Sequence, residues 1–388
     1  GTSMAAPHVA GAAAVLMERF PYMSGEQIST LLKTTATDLG APGIDALYGW
    51  GMINLGKAVS GPGMLVTAED IPAEFRVEGG YGSGQFVADL PGVGAVVDAG
   101  KPTERVCDDL HCGRDVWSND ISGHGGLTKQ GIGTLVLTGN NTYSGPTLVN
   151  QGLLAVNGSL VSQVTVSNSG VLGGSGSIGA LHAKSGGTVA PGNSIGTLNV
   201  AGDVNFDAGS TYAVELSNSS SDRIVAGGKA TLNGGTVTLA LENSPTLLSQ
   251  PEAQSLIGRQ YTILQAAGGV TGSFAQVLPN YLFVGGNLNY GANGVQLDVA
   301  RTANTFASVA LTDNQRAVAG AAEQLGAGNG VYESLLLAPS AASAQGAFQQ
   351  LSGEIYPALE TALVNDNRYL REAVGERLQQ GEMGSSPQ

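Results

Sequence analysis

Short β-branched segments recur through the middle of the sequence, and glycine, asparagine, serine or aspartate separates each one from the next. Such alternating segments at close spacing predict an all-β domain. A β-sandwich would give the same signal, but recurrent Gly-Thr-Leu and Asn-Gly-Gly-Thr turns favour a solenoid, in which every coil needs the same tight corner. The segments that carry the pattern are Thr134–Thr138, Val164–Val166, Thr197–Val200, Tyr212–Leu216 and Thr236–Ala240.

The composition fits a stack of strands and tight turns, and it excludes two classes of partner. Glycine accounts for 59 of the 388 residues, and charged residues for only 12%. The formal net charge is −14, which makes nucleic acids and anionic membrane surfaces poor partners. A run of about 18 apolar residues would predict a transmembrane helix, and the sequence contains no such run. We therefore expect no nucleic-acid partner and no helical membrane span.

The first sixty residues or so have a different hydrophobic pattern, which predicts helices. Val9, Ala13, Leu16 and Phe20 follow helical spacing in an alanine-rich stretch, and Ser24 opens a second helix. Compact helical material is therefore expected before about residue 60. The next stretch, residues 60–126, is irregular and is interpreted as a linker with early strands.

The tail beyond residue 301 is rich in alanine, glutamine, glutamate and leucine. Gly353–Leu378 is its longest helix candidate, because its apolar residues lie close to one helical stripe, although Pro357 delays the start by a turn. At about 1.5 Å per residue this helix would be about 40 Å long, enough to cross the thickness of a bilayer inside a protein pore. Packing of the helix against the end of the β domain is the alternative.

The first eleven residues, Gly1-Thr-Ser-Met-Ala-Ala-Pro-His-Val-Ala-Gly11, form the most specific motif of the chain. They resemble the nucleophile motif of subtilisin-like serine proteases, and the resemblance continues through Leu31–Ala36 and Tyr48–Asn54. A serine at a helix N-terminus has free backbone N–H groups beside the developing oxyanion, and Ser3 occupies that position. The resemblance implies that Ser3 is the catalytic nucleophile, with no metal and no cofactor.

The general base is expected elsewhere than at His8. At about 100° per residue, His8 lies about 140° around the helix from Ser3, so its ring should point away from the hydroxyl. His111, His124 and His182 belong to no motif that ties them to the nucleophile. In the subtilisin arrangement the triad runs Asp, His, Ser along the chain, so the resemblance implies that Asp, His and an oxyanion-binding Asn lie upstream of Gly1.

The β region resembles the passenger stalk of autotransporters. Lys129–Gly145, which runs into Thr147–Val156, is similar to the autotransporter-associated strand repeat, and Ala190–Leu198 is similar to a later coil. The resemblance implies a right-handed parallel β-helix. The tail from Leu351 resembles the segment that leads into a translocator barrel, which the chain itself does not contain.

These observations give four predicted domains and one predicted function. We expect the C-terminal, helical remnant of an α/β subtilisin-like peptidase domain at 1–59, a linker and early strands at 60–126, the β-helix at 127–300 and a helical segment at 301–388. The fold class is mainly β. The function implied is that of a surface-displayed or extracellular serine endopeptidase of a Gram-negative bacterium, inactive as this fragment. Its partners would be a protein or peptide substrate and its own outer-membrane translocator barrel. The alternative is a non-catalytic adhesin or display stalk.

Two weaker features concern polar residues of the β region. Cys107-Asp-Asp-Leu-His-Cys112 could bind a metal, but one short loop rarely supplies four ligands, and in an exported stalk a local disulfide is favoured. Asp203, Asp207 and Asp222 are interpreted as turn residues, because the calcium-binding nonapeptide pattern is absent from the sequence.

Overall fold

The computed structural model describes residues 1–97, 105–242, 252–279 and 281–353. It divides the chain into two compact units. The first comprises residues 1–279 and 286–299, and the second comprises residues 280–285 and 300–388.

The first unit begins with three helices. Helix α1 spans Thr2–Arg19, α2 spans Gly25–Thr34 and α3 spans Leu55–Ala58. Ser24 caps α2 in a capping box with Gln27, in which each side chain accepts from the other residue's backbone N–H. The two helices predicted from spacing and capping are thereby confirmed.

Strands make up most of the remaining chain, and most of them are short. In chain order the elements are β1 Gln85–Asp89, β2 Ala95–Val97, β3 Arg105–Cys107, β4 Arg114–Trp117, β5 Gly126–Gln130, β6 Thr134–Leu137, β7 Asn140–Asn141, β8 Thr147–Val156, β9 Ser159–Leu160, β10 Gln163–Gly174, β11 Ser177–Ile178, β12 Ala180–Ala183, β13 Thr188–Pro191, β14 Thr197–Val200, β15 Val204–Phe206, β16 Thr211–Leu216, β17 Arg223–Ala226, β18 Ala230–Asn233, β19 Thr236–Leu241, helix α4 Glu252–Leu256, β20 Gln260–Ala266, β21 Val270–Ser273, β22 Gln276–Leu278, β23 Val284–Tyr290 and β24 Gly294–Arg301.

Parallel pairing between successive coils makes this unit a β-helix. One stack runs β1-β5-β8-β10-β12-β15-β18-β21, a second runs β4-β6-β8-β10-β13-β16-β19-β22, and a third runs β7-β9-β11-β14-β17-β20. The long strands β8 and β10 contribute to the first two stacks. β24 pairs with β20 in the antiparallel sense. The structure is thus mainly β and built as the parallel β-helix that the sequence predicted.

The interior of the β-helix is filled by apolar side chains that stack from coil to coil. Leu154, Leu172, Val189, Tyr212 and Val237 are successive partners in register, and all five are fully buried. Strand residues alternate between buried and partly exposed, so each strand supplies one inward row. This stacking is the main apolar core of the unit.

The corners between strands require backbone conformations that favour glycine. At Gly186, φ is +80°, and a Cβ would clash with the carbonyl oxygen of Asn168 in the preceding coil. An L side chain therefore fits neither the backbone conformation nor the space at this corner. Corners of this kind account for part of the glycine content of the sequence.

Cys107 and Cys112 form a disulfide, with their Cα atoms 6.1 Å apart. Both residues are buried, and Cys107 ends β3, which pairs with β2 as an antiparallel hairpin. The predicted disulfide is confirmed, and the metal-binding alternative for these thiols is excluded.

The second unit contains three helices over its described part. They are α5 Asp313–Leu325, α6 Gly330–Leu336 and α7 Ala341–Leu351, preceded by a 3₁₀ turn at Phe306–Val309. The Arg301 guanidinium lies over three aromatic rings and forms an ion pair with Glu323 at 2.8 Å. The helix predicted at Gly353–Leu378 lies, apart from its first residue, outside the described residues.

Candidate active site

Ser3 lies in the first turn of α1, at the position expected for a nucleophile at a helix N-terminus. The helix begins at Thr2 and its first backbone bonds run from the N–H groups of Met4 and Ala5 to the Gly1 carbonyl, at 2.9 and 3.3 Å. Ser3 itself is exposed. The first N–H groups of a helix have no acceptor within it, and the helix dipole places partial positive charge there. The local structure can therefore stabilise an oxyanion beside Ser3.

None of the histidines among the described residues is hydrogen-bonded to Ser3. The Nδ1 atom of His8 lies 2.7 Å from the Met4 carbonyl oxygen. His111 Nδ1 contacts Asp109, His124 Nδ1 contacts Asp70 and His182 Nε2 contacts Asp207, at 2.6, 2.7 and 2.7 Å. Hydrogen bonding to Asp70 raises the pKa of His124. These three rings are thus each paired with a nearby carboxylate, and the His8 ring is paired with a carbonyl of its own helix.

The other end of α1 is attached to the β-helix by a buried polar cluster. The Arg19 guanidinium donates two hydrogen bonds to Asp115 at the start of the β-helix, at 2.8 and 3.1 Å. Tyr22 donates its hydroxyl to the same carboxylate at 2.6 Å, and Trp117 Nε1 donates to the Tyr22 oxygen at 3.0 Å. Burial, and next the Asp115 charge, raise the pKa of Tyr22. A bidentate pair between Arg19 and the buried Asp115 carboxylate restricts the orientation of the helix that carries Ser3.

Two buried charged residues were not anticipated from the sequence. Lys129, at the end of an inward row, is fully buried, and its ammonium donates to three backbone carbonyls. Asp222, interpreted above as a turn residue, is only 1% exposed and accepts from the backbone N–H groups of Gly196 and Glu215, at 2.9 and 2.8 Å. Asp222 lies in the connection between β16 and β17, as the turn interpretation expected, but that interpretation did not predict the burial of its carboxylate. No local sequence signal marks either burial.

Comparison with known proteins finds relatives for both the helical start of the first unit and its β-helix. Residues 1–51 match the Subtilase family, and residues 127–156 match the passenger-associated-transport-repeat. An extracellular serine protease of Serratia marcescens is 49% identical over 98% of this chain, and a second is 46% identical over the same share. The autotransporter lipoprotein NalP of Neisseria meningitidis serogroup B is 37% identical over 44% of the chain. The chain belongs to the subtilisin-like serine protease autotransporters.

This autotransporter chain spans 40% of the length of the two Serratia proteins and 13% of that of NalP. The Subtilase match contains Ser3 and His8, and the transport-repeat match contains the buried Lys129. Across the described residues, no helix is both long enough and apolar enough to cross a bilayer.

Proposed function

We propose that the complete protein is a surface-displayed or extracellular serine endopeptidase in which Ser3 is the nucleophile. The observation that carries the proposal is the subtilase motif Gly1–Gly11 seated on the first turn of α1, with the Ser3 side chain exposed. The names of the Serratia relatives support the same activity. The substrate would be a protein or peptide, and the organism a Gram-negative bacterium.

In the proposed mechanism, Ser3 Oγ attacks the carbonyl carbon of the scissile peptide while a histidine accepts its proton. The oxygen of the tetrahedral intermediate faces the N-terminal N–H groups of α1. The histidine then gives the proton to the leaving amine, and water repeats the sequence to release the acyl group. We assign this histidine and its orienting aspartate to the upstream part of the complete protein, because no described histidine is hydrogen-bonded to Ser3 and both partners precede the serine in the subtilisin arrangement.

The remaining parts of the chain have supporting roles in this proposal. We keep the division into peptidase remnant 1–59, linker and early strands 60–126, β-helix 127–300 and helical segment 301–388, with the early strands β1 and β4 joining the parallel stacks of the β-helix. The last segment would lead to the protein's own translocator barrel. The β-helix presents the peptidase, and the Arg19–Asp115 pair joins the two. A non-catalytic adhesin is not favoured, because the nucleophile motif and its helix are both intact.

The test is substitution of the nucleophile in the complete protein. Ser3→Ala should lower peptide hydrolysis by about a million-fold, since the remaining groups cannot replace the nucleophile. Casein and fluorogenic peptides serve as substrates, and a serine-directed phosphonate reports the reactive hydroxyl. Ser29→Ala, on α2, is the matched control and should retain full activity and labelling. Undiminished hydrolysis by the Ser3→Ala protein would overturn the proposal.

The 388-residue chain alone should neither hydrolyse these substrates nor react with the phosphonate, since no described histidine is hydrogen-bonded to Ser3. Its folding is checked by circular dichroism and by thermal unfolding. Hydrolysis by the chain that disappears in its Ser3→Ala variant would show that the assignment of the base to the upstream part is wrong.

A further inference from the structure

A groove of about 480 Å³ runs along the outside of the β-helix, away from Ser3. It crosses the stack of β4, β6, β8, β10, β13, β16 and β19, from the side chain of Arg114 to that of Ala240. Its floor is one row of outward-facing positions that carry small residues in successive coils. These floor residues are Ala155, Gly173, Ala190 and Ala213.

Larger side chains form one wall of the groove. Arg114, Thr134, Leu153 and Val171 line this wall and occupy the adjacent outward row in successive coils, in direct register with one another. The opposite wall contains the turn after β13, including Asn193 and Ser194. The lining near the floor is therefore aliphatic, and polar groups lie at the rim.

The length of the groove fits an extended chain. Strands in a sheet are about 4.8 Å apart, so the six steps from β4 to β19 span about 29 Å. A polypeptide in the extended conformation covers this distance with about eight or nine residues. Each floor strand is paired on both sides within its stack, so an occupant cannot bind by adding a strand and must be held by its side chains.

One part of the groove is strongly acidic. Glu215 and Asp222 line it, and Glu242 accepts a hydrogen bond at 2.9 Å from Ser194 in the wall. Burial, and then the neighbouring Glu242 charge, raise the pKa of Glu215, while burial is the largest of the causes that raise the pKa of Asp222 to about 7. No salt bridge to these three carboxylates is formed within the part of the chain that the structure describes.

One carboxylate oxygen of Glu215 has no hydrogen-bond donor among the described residues. This oxygen, Oε2, is shielded from solvent. The Glu215 side chain itself lines the groove, and the neighbouring carboxylates of Asp222 and Glu242 favour a cation over a neutral group beside it. Arg114, in contrast, lies at the far end of the groove, so charge varies along its length.

We propose that this groove binds an extended polypeptide segment of a partner protein, with a lysine or arginine of that segment paired with Glu215 and its aliphatic side chains on the Ala155–Ala213 floor. A linear oligosaccharide is disfavoured, because the groove lining contains no aromatic ring on which a sugar could stack. Binding here is independent of the chemistry at Ser3.

The direct test is fluorescence polarisation with the 388-residue chain and labelled ten-residue peptides. The first peptide alternates valine with serine and carries two lysines at one end, and the second has glutamates in place of the lysines. The lysine peptide should bind saturably, more weakly at 500 mM than at 50 mM salt, and about ten-fold or more tighter than the glutamate peptide. Equal affinities, or no saturable binding, would overturn the proposal.

Variants locate the binding in the groove. Glu215→Gln should lower the affinity for the lysine peptide about ten-fold, whereas Glu78→Gln, at an exposed position elsewhere, should leave the affinity unchanged. Ala213→Leu fills the groove and should abolish binding, whereas Thr231→Leu adds the same side chain on another outward row of the β-helix and should not. Thermal unfolding confirms that each variant is folded.

Two further outcomes decide against the proposal. If Glu215→Gln binds the lysine peptide as tightly as the parent chain, the carboxylate is not the recognition group. If neutral or anionic oligosaccharides bind and compete while the peptide does not, the groove is a glycan site. Because every arm measures binding without cleavage, the result is unaffected by whether Ser3 is catalytic.

Discussion

At the scale of single residues, Lys129 shows how a buried charge is accommodated in the β-helix. Its ammonium donates to the carbonyls of Gln130, Gly131 and Gln151 at 2.6, 2.8 and 3.1 Å. Gly152 passes so close that a Cβ there would lie 2.7 Å from the ammonium nitrogen. Burial lowers the pKa of Lys129 to about 8, although the Asp89 charge opposes the shift. Lys129 thus supplies donors to carbonyls that meet at a corner of two coils.

Replacing Lys129 by methionine should destabilise the chain by about 3 kcal/mol, because buried carbonyls lose charged donors. The free energy of unfolding is measured by urea denaturation. Lys184→Met, which removes an exposed lysine of the same β-helix, is the matched control and should change stability by less than about 0.5 kcal/mol. Equal stability of the two variants would show that the three hydrogen bonds contribute little.

The difference in stability between the parent chain and Lys129→Met should depend on pH. The folded pKa of Lys129 lies below its unfolded value, so the folded state loses this proton first as the pH rises from about 8 toward 10.5. Stability contributed by this residue therefore increases across that window. The advantage of the parent chain over Lys129→Met should be larger at pH 9.5 than at pH 7, and an unchanged difference would contradict the lowered pKa.

At the scale of elements, each strand has one face inside the β-helix and one outside. In β10, Leu172 is fully buried between Leu154 and Val189 of the neighbouring coils, whereas Val171 faces outward. Period-2 alternation places these adjacent residues in different environments on the same backbone. A coil is therefore stabilised mainly by its inward row.

Substitution of the two neighbours by alanine tests this difference. Leu172→Ala should lower the free energy of unfolding by about 2–5 kcal/mol, because it leaves a cavity in a packed stack. Val171→Ala should cost less than about 1 kcal/mol, since its side chain borders open solvent. Urea denaturation measures both. A comparable loss in the two variants would show that the outward row is packed as tightly as the interior.

At the scale of the whole molecule, electrostatics oppose one class of partner. The chain has 31 acidic and 17 basic residues, which gives the net charge of −14. Phosphate backbones bind proteins mainly through Lys and Arg, which release condensed counterions.

We therefore expect no binding to nucleic acid. Gel retardation of a short DNA duplex at low salt should show no shift at protein concentrations at which a basic control protein shifts it completely. Low salt gives weak electrostatic association its best chance, so the test is stringent. A shift that disappears as salt is added would reveal a basic surface that the net charge conceals.

Local sequence determined much of this protein. Ser24 with Gln27 specified the start of a helix, alternation specified the inward and outward faces of strands such as Tyr212–Leu216, and the motif around Ser3 indicated the family. Each of these signals is contained within a few consecutive residues, because helix caps, strand faces and tight turns depend on neighbours along the chain. The cysteine pair was predictable for the same reason, since its loop is short.

Only the tertiary structure decided which distant residues meet. Arg19 and Asp115 are separated by 96 positions, and Asp222 is buried by contacts with Gly196 and Glu215 that its turn-like surroundings do not reveal. The groove likewise depends on the register that aligns small residues from successive coils. Such contacts are set by the number of residues in each coil and by packing between coils, and these are properties of the assembled stack that no short segment encodes.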